Sequence, residues 1–202
     1  MHQQLTYFYD YNCPYCYLTH VMLEQLLKKQ PIQVELAAWR MPDDAVVDPK
    51  PAGYKEQGKQ FASGIARELG VPIRFDSPAT GTRAAQEATK IAKRMDREFE
   101  FSRELFRQKW EEGKDISNRD TILETAGRIG LNVEEFRAAF LDRQGRQAVE
   151  DDFRRSAAEK IWTIPTYAAH GRTIQIHHFK DMPSLEQLQN FIKQGESFLH
   201  EA

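Results

Sequence analysis

The feature that most constrains the fold is a pair of cysteines between a short apolar segment and an amphipathic helix. Cys13 and Cys16 are the only cysteines among the 202 residues. Residues 5–9, just before them, are rich in aromatic side chains and predict a β-strand. Positions three apart lie on one face of an α-helix, so the two sulfurs can meet across a first helical turn. The pattern therefore predicts a strand, a cysteine-bearing turn and a helix in direct succession.

The predicted start of this helix bears on the chemistry of the two thiols. Asn12 is the predicted N-cap, and Pro14 is tolerated in a first turn because its missing N–H would have no intrahelical partner. The cysteines then lie at the positive end of the helix, which stabilises a thiolate. Because the thiolate is the nucleophile in disulfide exchange, we expect Cys13 to be the exposed attacking thiol and Cys16 the resolving thiol.

Downstream of the helix, the sequence predicts a second strand and then a loop. Pro31 is expected to end the helix, and residues 32–39 are expected to form the strand. Two strands joined by one helix imply a parallel βαβ unit with a right-handed crossover. Residues 41–58 contain three prolines and two glycines and predict an irregular segment that leads into the next region.

Residues 55–160 carry helical periodicity. Their apolar side chains recur at helical spacing, which is typical of the core of a helical bundle. Ser117 and Asn132 each precede an acidic residue by three positions, and this capping pattern predicts new helices at both places. The stretch therefore predicts a compact helical subdomain.

The C-terminal segment returns to β-structure. Residues 166–169 and 173–178 predict a hairpin, because the His-Gly pair between them supplies turn chemistry. Ser184 begins a capping-box pattern and Gly195 suits a helix end, so a last helix is predicted between them. The predicted element order is βαβ, a helical insertion, and ββα.

Three features together resemble a known family. The tetrapeptide CPYC between a strand and a helix resembles the thioredoxin superfamily, and residues 161–172, IWTIPTYAAHGR, resemble its cis-proline loop. The long helical stretch between them resembles the DsbA family, specifically its FrnE-like branch. This resemblance implies an α/β thioredoxin-like domain formed by residues 1–54 and 161–202, interrupted by an all-helical subdomain at residues 55–160.

The resemblance also implies a site and an activity. In the family, Pro165 would form a cis bond beside the cysteines, and the backbone of Ile164 would pair with a substrate peptide. Pro14 and Tyr15 would tune the reduction potential; Tyr15 would either offer a substrate surface or only cover the turn. The implied reaction is thiol–disulfide exchange with protein or low-molecular-weight thiols, through a mixed disulfide on Cys13.

One position departs from the family pattern. Thioredoxin and DsbA carry a buried acid six residues before the first cysteine, where this chain has Tyr7. The resemblance therefore does not identify the residue that transfers a proton to or from the buried thiol. Asp10 and His20 are the ionisable candidates nearby, although Asp10 fits a strand-end carboxylate better and His20 a residue on the helix surface.

Two alternatives to an oxidoreductase stay open from the residues. Hydroxychromene-carboxylate isomerases and kappa-class glutathione transferases resemble this layout, but they typically carry serine where Cys13 stands. The second alternative is a non-catalytic module, in which the thiols are structural or hold a zinc ion together with His20. A structural zinc site needs four ligands, and the sequence has no second CxxC. No resident cofactor or metal is expected, and glutathione could act as a co-substrate.

Charge and hydropathy narrow the expected partners. The 28 basic and 30 acidic residues nearly cancel, which leaves no electrostatic footprint for nucleic acid or anionic lipid. The first residues, MHQQLTYFYD, lack a basic n-region with a long apolar run, and no later stretch suits a membrane span, so a cytoplasmic location is expected. Expected partners are a thiol-containing protein or small molecule and a glutathione or thioredoxin-type reductant. A homodimer is compatible with the sequence.

Overall fold

The computed structural model describes residues 3–42, 45 and 49–199 and alternates β-structure with a long helical section. Six of the eight described α-helices lie between the second and third strands, and a short 3₁₀ helix at Phe179–Asp181 precedes the last one. In chain order the elements are β1 (Gln3–Tyr9), α1 (Pro14–Leu27), β2 (Ile32–Ala38), α2 (Tyr54–Leu69), α3 (Arg83–Arg94), α4 (Glu98–Trp110), α5 (Arg119–Arg128), α6 (Val133–Leu141), α7 (Arg146–Ala158), β3 (Thr166–Ala169), β4 (Arg172–Gln175) and α8 (Leu185–Gln194).

The four strands form one mixed sheet in the order β2-β1-β3-β4. β1 and β2 run parallel, with Leu5 opposite Val34, as the predicted βαβ unit requires. β3 is antiparallel to β1, with Tyr7 opposite Tyr167, and β4 completes the predicted hairpin. β1 therefore lies inside the sheet, and the loop that follows it carries the two cysteines.

β1 is buried on both faces, because helices cover the two sides of the sheet. Side chains alternate between faces along a strand. Tyr7 and Tyr9 accordingly belong to the large core formed with α1 and α4, whereas Phe8 packs on the other face against Trp39 and Ile161. A nearly continuous aromatic run is thus the sequence signature of this central strand.

The edge strand β2 is closed by polar side chains of the helical section. The ammonium group of Lys90 on α3 donates to the carbonyl oxygen of Leu36 at 2.5 Å and pairs with Asp152 of α7 at 2.8 Å. Asp152 in turn accepts the N–H of Ala38 at 2.8 Å. An open strand edge would invite pairing with another chain, and these contacts occupy the C-terminal half of this one.

Several predicted element boundaries differ from those in the structure. The strand predicted at 173–178 is β4 at Arg172–Gln175, because His178 leaves the sheet ladder and forms a capping box with Asp181 at the start of the 3₁₀ helix. The helix predicted to start at Ser117 is capped by Asn118, whose side-chain oxygen accepts the N–H of Asp120 at 2.8 Å. The Asn132 cap and the capping box of α8 are confirmed.

The irregular segment predicted at 41–58 is shorter than expected. α2 begins at Tyr54, so Gly58 lies inside a helix rather than in a loop. A Cβ atom at Gly58 would lie 3.1 Å from the hydroxyl of Tyr15, so the glycine permits a close approach between α2 and the start of α1. Residues 43, 44 and 46–48 of the predicted loop lie outside the described residues. The domain boundaries drawn from the sequence stay a prediction.

Candidate active site

Cys13 is the N-cap residue of α1. Its backbone is extended, with φ −90° and ψ 115°, and its sulfur accepts the N–H of Cys16 at 3.4 Å. The prediction that Asn12 caps this helix is wrong, because the Asn12 amide instead donates to the carbonyl oxygen of Thr80 at 2.9 Å. The sulfur of Cys13 therefore lies where free helical N–H groups and the helix dipole favour a negative charge.

The two cysteines differ in accessibility. Both are free thiols, but Cys13 is half-buried whereas Cys16 is fully buried in the first turn of the helix. Burial, and then the neighbouring Cys13 sulfur, raise the pKa of the Cys16 thiol well above its ordinary value. An external disulfide can therefore reach Cys13 first, and the buried thiol is placed to attack the Cys13 sulfur from inside.

The predicted loop at Pro165 lies directly beside the cysteines. The Ile164–Pro165 peptide bond is cis, and the Cys13 thiol is 4.0 Å from the carbonyl oxygen of Ile164. The loop is tied to the segment after β4, because Ile176 donates its N–H to the Pro165 carbonyl at 3.2 Å and accepts the Thr163 hydroxyl at 2.8 Å. The two motifs, 151 positions apart in sequence, are thus neighbours in the fold.

Two buried side chains contact the backbone of Cys16. The hydroxyl of Tyr7 donates to the Cys16 carbonyl oxygen at 3.0 Å, and the Nδ1 atom of His20 lies 3.3 Å from the same oxygen. The Nε2 atom of His20 lies 2.8 Å from the hydroxyl of Ser102 on α4. Because a carbonyl only accepts, Nδ1 carries the hydrogen and Nε2 accepts from Ser102.

The expectation that His20 lies on the helix surface is wrong. α4 covers this face of α1, and His20 is fully buried between Phe99 and Phe106, with ring centroids 5.3 Å and 4.4 Å away. Burial, followed by the charge of Arg103, lowers the pKa of His20 to about 3. The imidazole is therefore neutral and already doubly hydrogen-bonded, which makes it a poor proton acceptor for Cys16.

Asp10 anchors the cysteine loop to the helical section. Its carboxylate accepts the N–H of Asn12 at 2.8 Å, the hydroxyl of Thr82 at 2.5 Å and the amide of Gln86 at 2.9 Å, while its carbonyl accepts the Cys13 N–H at 3.2 Å. Burial raises the pKa of this carboxyl, although the hydrogen bonds act in the opposite direction. The strand-end interpretation of Asp10 fits this arrangement, in which three donors already occupy the carboxylate.

A pocket of about 360 Å³ opens beside the cysteines, and we call it the Cys13 pocket. Asn12 and Pro14, the sequence neighbours of Cys13, contribute to one wall together with Tyr15. The Tyr15 hydroxyl donates to the carbonyl oxygen of Gly58 at 2.9 Å and so joins this wall to α2. Pro14 and Tyr15 therefore lie where they can contact a molecule bound next to the sulfur.

The far wall of the pocket comes from residues that the sequence did not assign to a site. Lys109 and Trp110 end α4, and Trp110 donates its indole N–H to the carbonyl oxygen of Tyr11 at 2.9 Å. The apolar stripe predicted Trp110 only as bundle core. Lys109 is just 2% exposed, a burial that is rare for lysine and that the apolar stripe did not predict.

No group of three or more His, Cys, Asp or Glu side chains among the described residues is placed to hold a metal ion. None of the described helices is both long and apolar enough to cross a bilayer.

A mixed sheet with a cysteine pair at the start of the helix after its central strand defines a thioredoxin-fold protein. The family model of the DSBA-like thioredoxin domain matches residues 4–193, so the chain belongs to the DSBA-like thioredoxin domain family. The predicted thioredoxin-like fold with inserted helices is thereby confirmed. A curated relative is the uncharacterized protein YwbO of Bacillus subtilis (strain 168), 28% identical over 169 residues, which cover 78% of this chain and 82% of YwbO.

Three solved structures share the fold over almost their whole length. The probable DsbA oxidoreductase SCO1869 from Streptomyces coelicolor has a TM-score of 0.74 at 20% identity, with 100% of this chain and 94% of SCO1869 covered. The cytosolic disulfide reductase DsbM from Pseudomonas aeruginosa has a TM-score of 0.68 at 19% identity, with 95% and 98% covered. A 2-hydroxychromene-2-carboxylate isomerase has a TM-score of 0.78 at 14% identity, with 95% and 97% covered. At these identities the likeness concerns the fold alone.

Proposed function

We propose that this protein is a thiol–disulfide oxidoreductase that exchanges a Cys13–Cys16 disulfide with protein or low-molecular-weight thiols. The observation that carries the proposal is the arrangement of three groups. A half-buried Cys13 sulfur caps α1, a fully buried Cys16 follows three residues later, and the Ile164 carbonyl lies beside the exposed sulfur. Membership of the DSBA-like family and the oxidoreductase descriptions of SCO1869 and DsbM support it.

The exchange proceeds in two steps. In the reducing direction the Cys13 thiolate attacks a substrate disulfide, a Cys13–substrate disulfide forms, and one substrate thiolate leaves. Cys16 then loses its proton and attacks the Cys13 sulfur, which forms the internal disulfide and releases the second substrate thiolate. Two electrons pass from the protein to the substrate, and the oxidising direction reverses both steps.

The loop at Pro165 supplies the proposed substrate contact. The backbone of Ile164 would pair with an extended substrate segment next to the mixed disulfide, which gives affinity with little sequence selectivity. Pro14 and Tyr15 would contact the substrate from the opposite side of the sulfur and would tune the reduction potential through the helix start. These roles extend the proposal from the two sulfurs to their surroundings.

The recycling partner is proposed by chemical class. A structure of DsbM has been solved with GSH, which supports glutathione as a co-substrate or reductant for this chain, with a thioredoxin-type reductant as the other candidate. DsbM is described as cytosolic, and a cytoplasmic location is proposed here as well. Assignment to the FrnE-like branch, and assembly as a homodimer, belong to the same proposal.

The test is a redox titration of the pure protein. After equilibration in a series of glutathione buffers, free thiols are alkylated and the Cys13–Cys16 disulfide fraction is read by mass. A reversible transition is expected; a potential near roughly −120 to −200 mV would indicate an oxidase or isomerase, and one near roughly −270 mV a reductase. Absence of an internal disulfide at every ratio would refute the oxidoreductase.

Two serine variants separate the proposed roles and the alternative activity. Cys16→Ser should accumulate the mixed disulfide on Cys13, because the resolving attack is lost, whereas Cys13→Ser should lose exchange altogether. A glutathione-dependent isomerase or transferase would keep its isomerisation or conjugation activity in Cys13→Ser. Retention of exchange in Cys13→Ser would assign the attack to Cys16 and contradict the proposal.

A further inference from the structure

The Cys13 pocket combines an apolar body with a positive rim. Five aromatic side chains line it, and they come from five separate parts of the chain: Tyr15, Tyr54, Phe75, Trp110 and Phe179. The rings of Phe75 and Trp110 meet edge to face with centroids 6.1 Å apart and form a continuous apolar part of the lining. Its volume of about 360 Å³ suits a small molecule rather than a folded partner.

The charged groups of the pocket are all of one sign. Lys55, Lys59 and Lys109 line it, and none of the described lining residues is acidic. Lys55 and Lys59 are one helical turn apart in the first turns of α2, so they share a face, and the positive end of the helix adds to their field. An anion in the pocket would meet this field with no carboxylate among the described lining residues, while Asp10 and Asp115 act on Lys109 from outside the lining.

Neither Lys59 nor Lys109 forms a short ion pair among the described residues. Lys109 is 2% exposed and donates to the carbonyl oxygen of Pro78 at 2.7 Å, without a carboxylate within ion-pair distance among the described residues. Lys59 lies over the Phe75 ring at 5.9 Å, and its ion pair with the exposed Glu56 is long at 3.8 Å. The Lys59 ammonium group and the Phe75 ring are thus adjacent within the same pocket.

We propose that the Cys13 pocket binds the non-reacting half of a small disulfide or thiol that carries an aromatic or similarly apolar body and a carboxylate. The apolar body would lie against Phe75 and Trp110, and the carboxylate would face Lys55 and Lys59. Because Asn12 and Pro14 flank Cys13 and line the same pocket, the sulfur of such a molecule can reach Cys13 while its body stays bound. This inference names the substrate class of the proposed oxidoreductase and rests on that function.

The reaction with such a substrate balances within the proposed exchange. The reduced protein donates two electrons to the aromatic disulfide, releases two aromatic thiolates and ends with the Cys13–Cys16 disulfide. A low-molecular-weight dithiol supplied in the assay returns the protein to the reduced state. The occupied pocket accelerates only the first attack, because it holds the substrate sulfur beside Cys13.

The test compares three small disulfides on the reduced protein. Dithiobis(nitrobenzoate) carries both an aromatic ring and a carboxylate, bis(nitrophenyl) disulfide only the ring, and dithiodipropionate only the carboxylate. The second-order rate constant for formation of the Cys13–Cys16 disulfide is measured with each. Dividing every variant by the wild type for the same disulfide removes the intrinsic reactivity of the reagent.

The variants separate charge from apolar contact. In the double variant Lys55→Gln, Lys59→Gln, the dithiobis(nitrobenzoate) rate should fall roughly tenfold relative to the bis(nitrophenyl) disulfide rate. Phe75→Ala should lower both aromatic rates severalfold relative to the dithiodipropionate rate, because only the apolar contact is lost. Lys193→Gln, at an exposed position on α8, is the matched control and should change neither ratio.

The outcomes distinguish the pocket from the oxidoreductase itself. Unchanged ratios in the double variant and in Phe75→Ala, with exchange intact, would overturn the pocket assignment and leave the proposed function standing. Strong preference of the wild type for an unfolded disulfide-bonded protein, without competition from dithiobis(nitrobenzoate), would also overturn it and would point to a polypeptide substrate. Loss of every exchange reaction in wild type, by contrast, would refute the function on which the inference depends.

Discussion

The two cysteines, only three positions apart, lie in opposite kinds of environment. Tyr7 and His20 contact the Cys16 carbonyl oxygen, and their rings pack against Tyr167 and Phe106. All four rings are neutral and fully buried, and we call this set the Cys16 enclosure. The sequence neighbours of Cys13, Asn12 and Pro14, instead line an open pocket whose charged lining residues are lysines. We infer that the two environments have different roles. The enclosure holds the buried Cys16 thiol in place, and the helical section controls which molecules approach Cys13.

The enclosure is also where the helical section is joined to the sheet. The ring of Phe106 on α4 packs against three other rings. Its centroid lies 4.4 Å from that of His20 on α1, 4.6 Å from that of Tyr11 and 5.9 Å from that of Tyr9 on β1. Because Phe106 contacts His20 on the helix that carries the cysteines, a change in the inserted helices can act on the cysteine turn by direct contact.

The largest expected effect is a loss of stability when a ring is removed from the Cys16 enclosure. Phe106→Ala should lower the free energy of unfolding by about 3–5 kcal/mol, because a fully buried ring is replaced by a cavity. Phe75→Ala removes the same atoms from the half-buried pocket wall and should cost clearly less. Urea unfolding followed by circular dichroism measures both. Equal losses in the two variants would contradict the distinction between a packed enclosure and an open pocket.

Sequence patterns predicted the elements that carry the cysteines better than the elements that cover them. The strand, the turn and the helix around Cys13 and Cys16 were predicted from local signals, as was the last helix from Ser184 to Gly195. Local signals are enough there because caps and turns involve neighbours in sequence.

Burial of His20 could not be predicted in the same way. Its neighbours on α1 are almost all buried, but the element that covers it is α4, whose Ser102 lies 82 positions away. Helical periodicity reports one apolar face and not a second face covered by a distant helix. The same limitation hid the pocket, because Phe75 and Trp110 become neighbours of Tyr15 only in three dimensions.

The buried His20 should make the stability of the protein depend on pH. The pKa of His20 is lowered from 6.5 to about 3 in the folded protein, so between these values the unfolded chain binds a proton that the folded protein does not. Stability is therefore lost as pH falls below about 6.5, at up to about 1.4 kcal/mol per pH unit, and the loss continues to about pH 3. Urea unfolding across this range should show the slope.

Two histidine variants provide the control for this slope. His20→Asn should be less stable at neutral pH but should show a shallower decline toward acid, because the group that titrates has been removed. His177→Gln changes an exposed histidine and should keep the wild-type slope. If His20→Asn declined as steeply as His177→Gln, the acid sensitivity would belong to other groups, with the carboxylates first among them.

The smallest expected effects come from one substitution made on each side of the cysteine turn. Tyr7→Phe removes a hydroxyl that donates to the Cys16 carbonyl at 3.0 Å inside the enclosure, and should cost about 1 kcal/mol. Tyr15→Phe removes a hydroxyl that donates to Gly58 at 2.9 Å beside the pocket, where water can replace it, and should cost below about 0.5 kcal/mol.

The same tyrosine pair separates stability from reactivity. Burial raises the pKa of the Tyr7 hydroxyl well above its usual range, so it stays a neutral donor next to Cys16. Tyr7→Phe should then slow the release of a mixed disulfide by Cys16 without changing its formation on Cys13, whereas Tyr15→Phe should affect formation. Rapid-quench alkylation with mass detection resolves the two steps. If both variants altered only formation, Tyr7 would have no part in the reaction of the buried thiol, and the division between the two environments would concern stability alone.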